Sequence, residues 1–250
     1  RQPPIPFEQT GLESATLDEV VERIASWAAG PFDLAREIPV RFKLISLGPA
    51  YHVLAATVHH IVSDNWSLAI MGRDLAALYG DALGRAHARL PKLRMQYTDF
   101  ADRQSKWLAG PDRERQATYW RMQLSGVQPL ALPLDRQRPR LPSLMGREYV
   151  VEIPAATTTR LEERAYSGRI TMFVLALCAF FVLLRRITGE EDIVVGTVAS
   201  GRMCEEAEDV VGFFVNTLPI RMCVAGSATF DSLASRTRDA VLDAMANQNL

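Results

Sequence analysis

Apolar residues recur along the chain at two spacings, and these divide it into elements. In residues 16–29, Leu17, Val20, Val21, Ile24 and Trp27 fall near every 3.6 residues, which predicts an amphipathic helix stopped by Gly30-Pro31. Residues 40–47, with Phe42, Leu44 and Ile45, read as a strand ended by a turn at Gly48-Pro49. Residues 52–60 are almost continuously apolar and read as a strand buried on both faces. A helix follows from Ser63-Asp64 to about Tyr79, with Leu68, Met71, Leu75 and Leu78 as its stripe. Residues 97–107 and 114–124 predict two more helices, broken by Gly110-Pro111.

The pattern then lapses. Residues 128–142 (QPLALPLDRQRPRLP) hold four prolines and four charges without periodicity, as an extended linker or crossover does. Periodicity restarts with a strand over 148–153, helices over 155–165 and 171–186, and a strand over 192–197. Residues 210–222 mix apolar positions with glycine and asparagine, and a last helix is expected over 230–246. The alternation predicts an α/β protein in two halves, 1–138 and 139–250. The longest apolar run, residues 172–184, is thirteen residues flanked by arginines. It is too short to span a bilayer and reads as a core helix.

Composition narrows the field. Of the 250 residues, 48% are hydrophobic and 23% charged, which excludes a disordered or low-complexity chain. The 28 basic and 29 acidic residues nearly cancel, so no strong field exists to draw nucleic acid or an anionic membrane. Cys178, Cys204 and Cys223 are odd in number and lack CxxC spacing. They predict neither a disulfide framework nor a zinc site, and a cytoplasmic location. The chain starts at Arg1 without an apolar signal core and is expected to be a piece of a longer one.

Phosphate-loop, dinucleotide, zinc-protease and GxSxG patterns are all absent. The conspicuous cluster is His59-His60-Ile61-Val62-Ser63-Asp64-Asn65-Trp66-Ser67, at a strand end leading into a helix, where α/β proteins place their sites. If both histidines are extended they point to opposite faces and do not chelate one metal ion. The residues themselves leave two readings open. One histidine acts on a substrate, or one is a buried, hydrogen-bonded side chain while Asp64 merely caps the helix. Asn65-Trp66-Ser67 also matches a glycosylation sequon, which without a secretory signal reads as incidental.

This cluster resembles the HHxxxDGxS signature of condensation domains of nonribosomal peptide synthetases. Further segments resemble that family's motifs in order: Pro31-Phe32-Asp33-Leu34, Gln96-Tyr97-Thr98-Asp99-Phe100-Ala101, Tyr119-Trp120, Leu132-Pro133-Leu134-Asp135-Arg136, Gly196-Thr197 with Gly201-Arg202, and Val211 through Thr217 (VGFFVNT). Two departures stand out. Asn65 replaces the family's glycine, and Asn249 stands where an (H or N)QDxPFE motif has aspartate. The family also carries motifs before Arg1 and beyond Leu250, so the resemblance implies an internal portion of the domain, inactive alone.

The resemblance implies two chloramphenicol acetyltransferase-like halves forming a pseudo-dimer around a tunnel. Donor and acceptor peptidyl carrier proteins would present thioesters there on phosphopantetheine arms, beside a neighbouring adenylation domain, and the domain would bind no cofactor or metal itself. His60 is implied as proton acceptor, with His59 and Asp64 completing the catalytic motif and Arg202 pairing with Asp64. Asn65, Trp66, Ser67 and Asn216 are implied to line the tunnel and position substrate. A coenzyme A-dependent acyltransferase of the same fold, or a non-catalytic recruitment module, are the alternatives. If glycine serves at position 65 for a positive φ, asparagine is the next most tolerant residue there.

Overall fold

A computed structural model describes residues 4–13, 15–85, 87–141, 146 and 148–250. Arg1, Ser14 and Pro142, the last residue of the proline-rich stretch, lie outside the described residues. The elements run β1 (Phe7–Gly11), α1 (Leu17–Ala28), β2 (Val40–Gly48), β3 (Tyr51–Val58), α2 (Asn65–Ala82), α3 (Tyr97–Leu108), α4 (Asp112–Gln123), α5 (Ala155–Ser167), α6 (Met172–Thr188), β4 (Asp192–Ala199), β5 (Asn216–Cys223) and α7 (Phe230–Ala246). Short 3₁₀ turns occupy His60–Val62 and Glu205–Ala207.

Packing gathers these into two compact units. One holds residues up to Asp102 together with Arg202–Val215; the other holds Arg103–Gly201 and Asn216–Leu250. Two packing features set these units. Trp120 of α4 is buried in the second unit's core and donates its indole N–H to the Asn247 carbonyl at 2.9 Å. The 202–215 segment instead places Ala207, Val210 and Phe214 in a buried cluster with Met95, against Tyr97 and Phe100.

In the first unit, β1 lies parallel to β2 and β2 antiparallel to β3, with Gln9 opposite Leu44 and Ile45 opposite Val53. Helix α1 starts at a capping box. The Thr16 hydroxyl accepts the Glu19 amide at 3.3 Å, and the Glu19 carboxylate accepts the Thr16 amide at 2.8 Å. Val20 of α1 and Ile45 of β2 are fully buried. Strand β3 corrects the expectation of burial on both faces. It pairs only with β2 among the described residues, and Ala55 is its one buried residue. It also ends at Val58, so neither His59 nor His60 belongs to it.

In the second unit, α6 lays Val174, Leu177, Cys178, Phe181 and Leu184 against Ile193 of β4, Leu218, Ile220 and Met222 of β5, and Leu233 and Val241 of α7. The apolar run is thus a core helix. It is capped by the Thr171 hydroxyl and ended by Gly189 in the left-handed region, φ 77°. Among the described residues no single helix is long and apolar enough to cross a membrane. The strand expected over 148–153 is not formed, and Tyr149, Val150 and Val151 are exposed. Strand-forming side chains make a strand only where a second strand takes up the backbone hydrogen bonds, and no described residue does so.

Candidate active site

The site grows from the turn after β3. The His59 amide donates to the Pro39 carbonyl at 2.9 Å, the chain tightens into one 3₁₀ turn, and Ser63 returns it to an extended conformation before Asp64 caps α2. This turn gives the adjacent histidines opposite roles. His59 Nδ1 accepts the Ile61 amide at 3.1 Å, so its ring proton sits on Nε2, and its ring meets Phe32 edge to face at 5.9 Å. His60 Nδ1 lies 2.5 Å from the Ser63 carbonyl oxygen. A carbonyl only accepts, so Nδ1 carries a proton, and Nε2 is the atom that bears the lone pair whenever the ring is neutral. His60 is exposed, and its ring meets Phe213 edge to face at 5.0 Å.

Behind this turn lies a buried ion pair. Arg202 Nη2 donates to Asp64 Oδ1 at 3.0 Å and to Oδ2 at 3.3 Å, with both side chains at most 3% exposed. Asp64 Oδ1 also accepts the Ser67 amide at 2.8 Å, and Oδ2 the Phe214 amide at 3.3 Å. Arg202 Nη1 donates to the carbonyls of Ala207 and Val210, and the guanidinium lies 4.1 Å over the Phe214 ring. The Ser67 hydroxyl sits 2.7 Å from Asp64 Oδ1 and 2.8 Å from the Gly212 carbonyl, and accepts from the Gly212 amide and Arg202. The network therefore joins the first turn of α2 to the 202–214 segment through charge-assisted bonds.

Burial pushes the Asp64 carboxyl up, but hydrogen bonds from the Ser67 hydroxyl and amide, Arg202 and the Phe214 amide outweigh it, leaving its pKa below the ordinary carboxylate value. A folded-state pKa below the unfolded one contributes stability above the unfolded value, about 3.9. That contribution is lost as pH falls through the folded value. Urea unfolding from pH 7 to pH 2.5 is expected to show a steeper acid loss in the parent protein than in Asp64→Asn. Parallel curves would separate Asp64 from the acid response.

The other anticipated side chains fall into three groups. Ser67 is fully buried inside the ion-pair network, where its hydroxyl bonds Asp64 and Arg202. Trp66 is half exposed and donates its indole N–H to the Glu208 carbonyl at 2.8 Å, tying α2 to the second 3₁₀ turn beside the Arg73–Asp209 pair at 2.6 Å. Asn216 belongs to the other unit. There its amide donates to the carbonyls of Gln248 at 2.7 Å and Leu250 at 3.1 Å.

Asn65 is the exposed first residue of α2, and Arg169 is the non-glycine residue with positive φ among the described residues. Positive φ is therefore not what position 65 requires in this chain. Asn65→Gly is expected to change unfolding free energy by less than about 0.5 kcal/mol, as a surface substitution does. Urea denaturation reads this directly, and a loss near 2 kcal/mol would mean that the amide side chain holds the corner.

Tyr97 and Phe100 read as helix packing, and both lie against the buried cluster of Met95, Ala207, Val210 and Phe214; what spacing did not reveal is the use of Gly212. A Cβ built on Gly212 would collide with the Tyr97 ring, and the Tyr97 hydroxyl donates to the Phe213 carbonyl at 2.7 Å. The available signal was the glycine itself, a residue used where another group must come close to the backbone. Among the described residues no three His, Cys, Asp or Glu side chains gather as a metal site.

Comparison with known proteins places this geometry. The family model of the condensation domain matches residues 4–250. One component of the linear gramicidin synthase of Brevibacillus parabrevis is 40% identical over 225 residues, 89% of this chain and 3% of that protein. The crystal structure of the X-domain from teicoplanin biosynthesis is similar at a TM-score of 0.88 and 32% identity, covering 99% of this chain and 56% of that one. The complex of the X-domain and OxyB matches at 0.86 and 30% identity, covering 99% of this chain and 55% of that one. The chain thus spans a small fraction of that curated relative and about half of the solved domains.

Proposed function

Because this chain belongs to the condensation domain family and has its α/β fold, we propose that it serves amide-bond formation between carrier-bound thioesters in nonribosomal peptide biosynthesis. The observation that carries the reading is the fixed tautomer of His60. Its Nδ1–H is tied to the Ser63 carbonyl, which leaves Nε2 as the basic atom of an exposed ring. In the proposed reaction the acceptor's α-amine attacks the donor's thioester carbonyl. The C–N bond forms, and the resulting tetrahedral species bears a positive nitrogen and a negative oxygen. Nε2 takes the nitrogen's proton. Collapse breaks the C–S bond, and the leaving thiolate receives that proton, giving an amide and a free thiol. The thioester is already activated, so an acyl-enzyme is not required.

Asp64 and Arg202 act at a distance from the bond changes. They hold the start of α2 and the 202–214 segment, and so hold the turn that presents His60 and the Phe213 ring it leans on. The phosphopantetheine arms belong to the donor and acceptor carrier proteins and enter as substrate. In the reading adopted, the complete domain is a pseudo-dimer of two chloramphenicol acetyltransferase-like halves with a tunnel for both arms. It works in the cytoplasm beside an adenylation domain of the same synthetase.

A second reading draws on the similar fold seen in the complex of the X-domain and OxyB. In it the domain recruits a partner protein and makes no bond. The deciding experiment mixes the full-length protein with two loaded carrier proteins and follows the acceptor by mass spectrometry. Transfer of the donor acyl group to the acceptor is expected. Carrier binding without transfer would replace the catalytic reading with the recruiting one.

A further inference from the structure

We propose that Tyr97 is a positioning residue for His60, acting through the backbone and ring of Phe213. Two contacts define the His60 ring. The hydrogen bond from Nδ1 to the Ser63 carbonyl decides which nitrogen faces outward, and the edge-to-face contact with Phe213 at 5.0 Å limits its tilt. Phe213 is itself 38% exposed and belongs to neither buried core cluster. What fixes it is Tyr97, whose hydroxyl donates to the Phe213 carbonyl at 2.7 Å while its ring fills the space beside Gly212 that a side chain there would need.

Tyr97 is braced in turn. Its ring stands edge to face with Phe214 at 5.1 Å and beside Phe100 at 5.8 Å, at the start of α3. Burial, and then the Asp64 carboxylate, push the Tyr97 phenol above its ordinary pKa, so it stays a protonated donor across the neutral range. The Asp64 network grips residues 212–214 from one side, through Ser67 on Gly212 and Asp64 on Phe214. Tyr97 grips the same three residues from another. Of these grips, the Tyr97 hydroxyl alone acts on Phe213, the residue that touches His60.

The inference rests on His60 as proton acceptor, and its test has an arm that does not need the reaction. Tyr97→Phe keeps the ring against Gly212, Phe100 and Phe214 and deletes only the hydroxyl. In the full-length protein it is expected to lower kcat about fivefold, the worth of one hydrogen bond, with KM for the acceptor carrier unchanged. Phe213→Leu should do the same, and the double variant should be no worse than the poorer single one.

The independent arm is carbethoxylation by diethylpyrocarbonate, read at each histidine-bearing peptide by mass spectrometry. In Tyr97→Phe the rate at His60 is expected to rise while those at His52 and His87 stay fixed. An unchanged His60 rate overturns the proposal whatever the parent's activity. So does a loss confined to KM, or additive losses in the double variant. Absence of amide formation by the parent protein would instead strike the proposed function, and the labelling result would still decide the role of Tyr97.

Discussion

Arg202→Ala will lower the unfolding free energy by about 3–5 kcal/mol, the cost of leaving one member of a buried ion pair without its partner. The Asp64 carboxylate, 2% exposed in the parent, would keep only Ser67 and the Phe214 amide to answer its charge, and the Ala207 and Val210 carbonyls would lose their donor. Asp64→Ala should cost a similar amount, because it strands the guanidinium over Phe214 and frees the α2 amide it caps. The double variant removes both charges and should be less damaged than the sum, by about 0.5–3 kcal/mol. It should still fall short of the parent, since the amides of Ser67 and Phe214 keep no acceptor. Urea unfolding of the four proteins measures the cycle, and strictly additive losses would show that the pair is not a unit.

Under the proposed function, His60→Ala in the full-length protein will slow amide formation by about two to four decades, the range for a lost general base, with little change in fold. His60 is exposed and its loss empties no core position. His59→Ala is the matching control. That ring is half-buried against Phe32 and accepts the Ile61 amide, so its removal should lower stability by about 1 kcal/mol, a typical value for a partly buried side chain. Turnover measured with loaded carrier proteins, alongside melting temperature, separates the two. Near-normal turnover by His60→Ala would remove it from the proton's path.

The helices were legible because periodicity and cap residues agree. The stripe over 16–29 and the helix over 230–246 fall within two residues of α1 and α7, behind the hydroxyl caps Thr16 and Thr229. Strands fared worse, because a strand is a relation between segments. β1 is five residues with one large apolar side chain, Phe7, and exists through its pairing with β2. Residues 148–153 carry strand-forming tyrosine, valine and isoleucine and have no partner among the described residues. At the site, the HHxxxD cluster was visible as composition. Its opposite tautomers were not, since they depend on the carbonyl and the amide that one 3₁₀ turn brings to each ring. Spacing gave no sign of Arg202, which lies 138 residues from Asp64; only the family resemblance brought them together.

That separation sets a timetable for the protein's synthesis. Asp64 leaves the ribosome 138 residues ahead of its partner, an interval of roughly 7–28 s at about 5–20 residues per second. Once α2 has followed, β1, β2, β3 and α2 have their local contacts available, while the carboxylate waits in water and the face of α2 that will carry Gly212 stays open. Ion-pair burial is therefore a late event on the nascent chain. A nascent chain that has emerged to the end of α2 but not to Arg202 displays the histidine turn without the arginine that sets it.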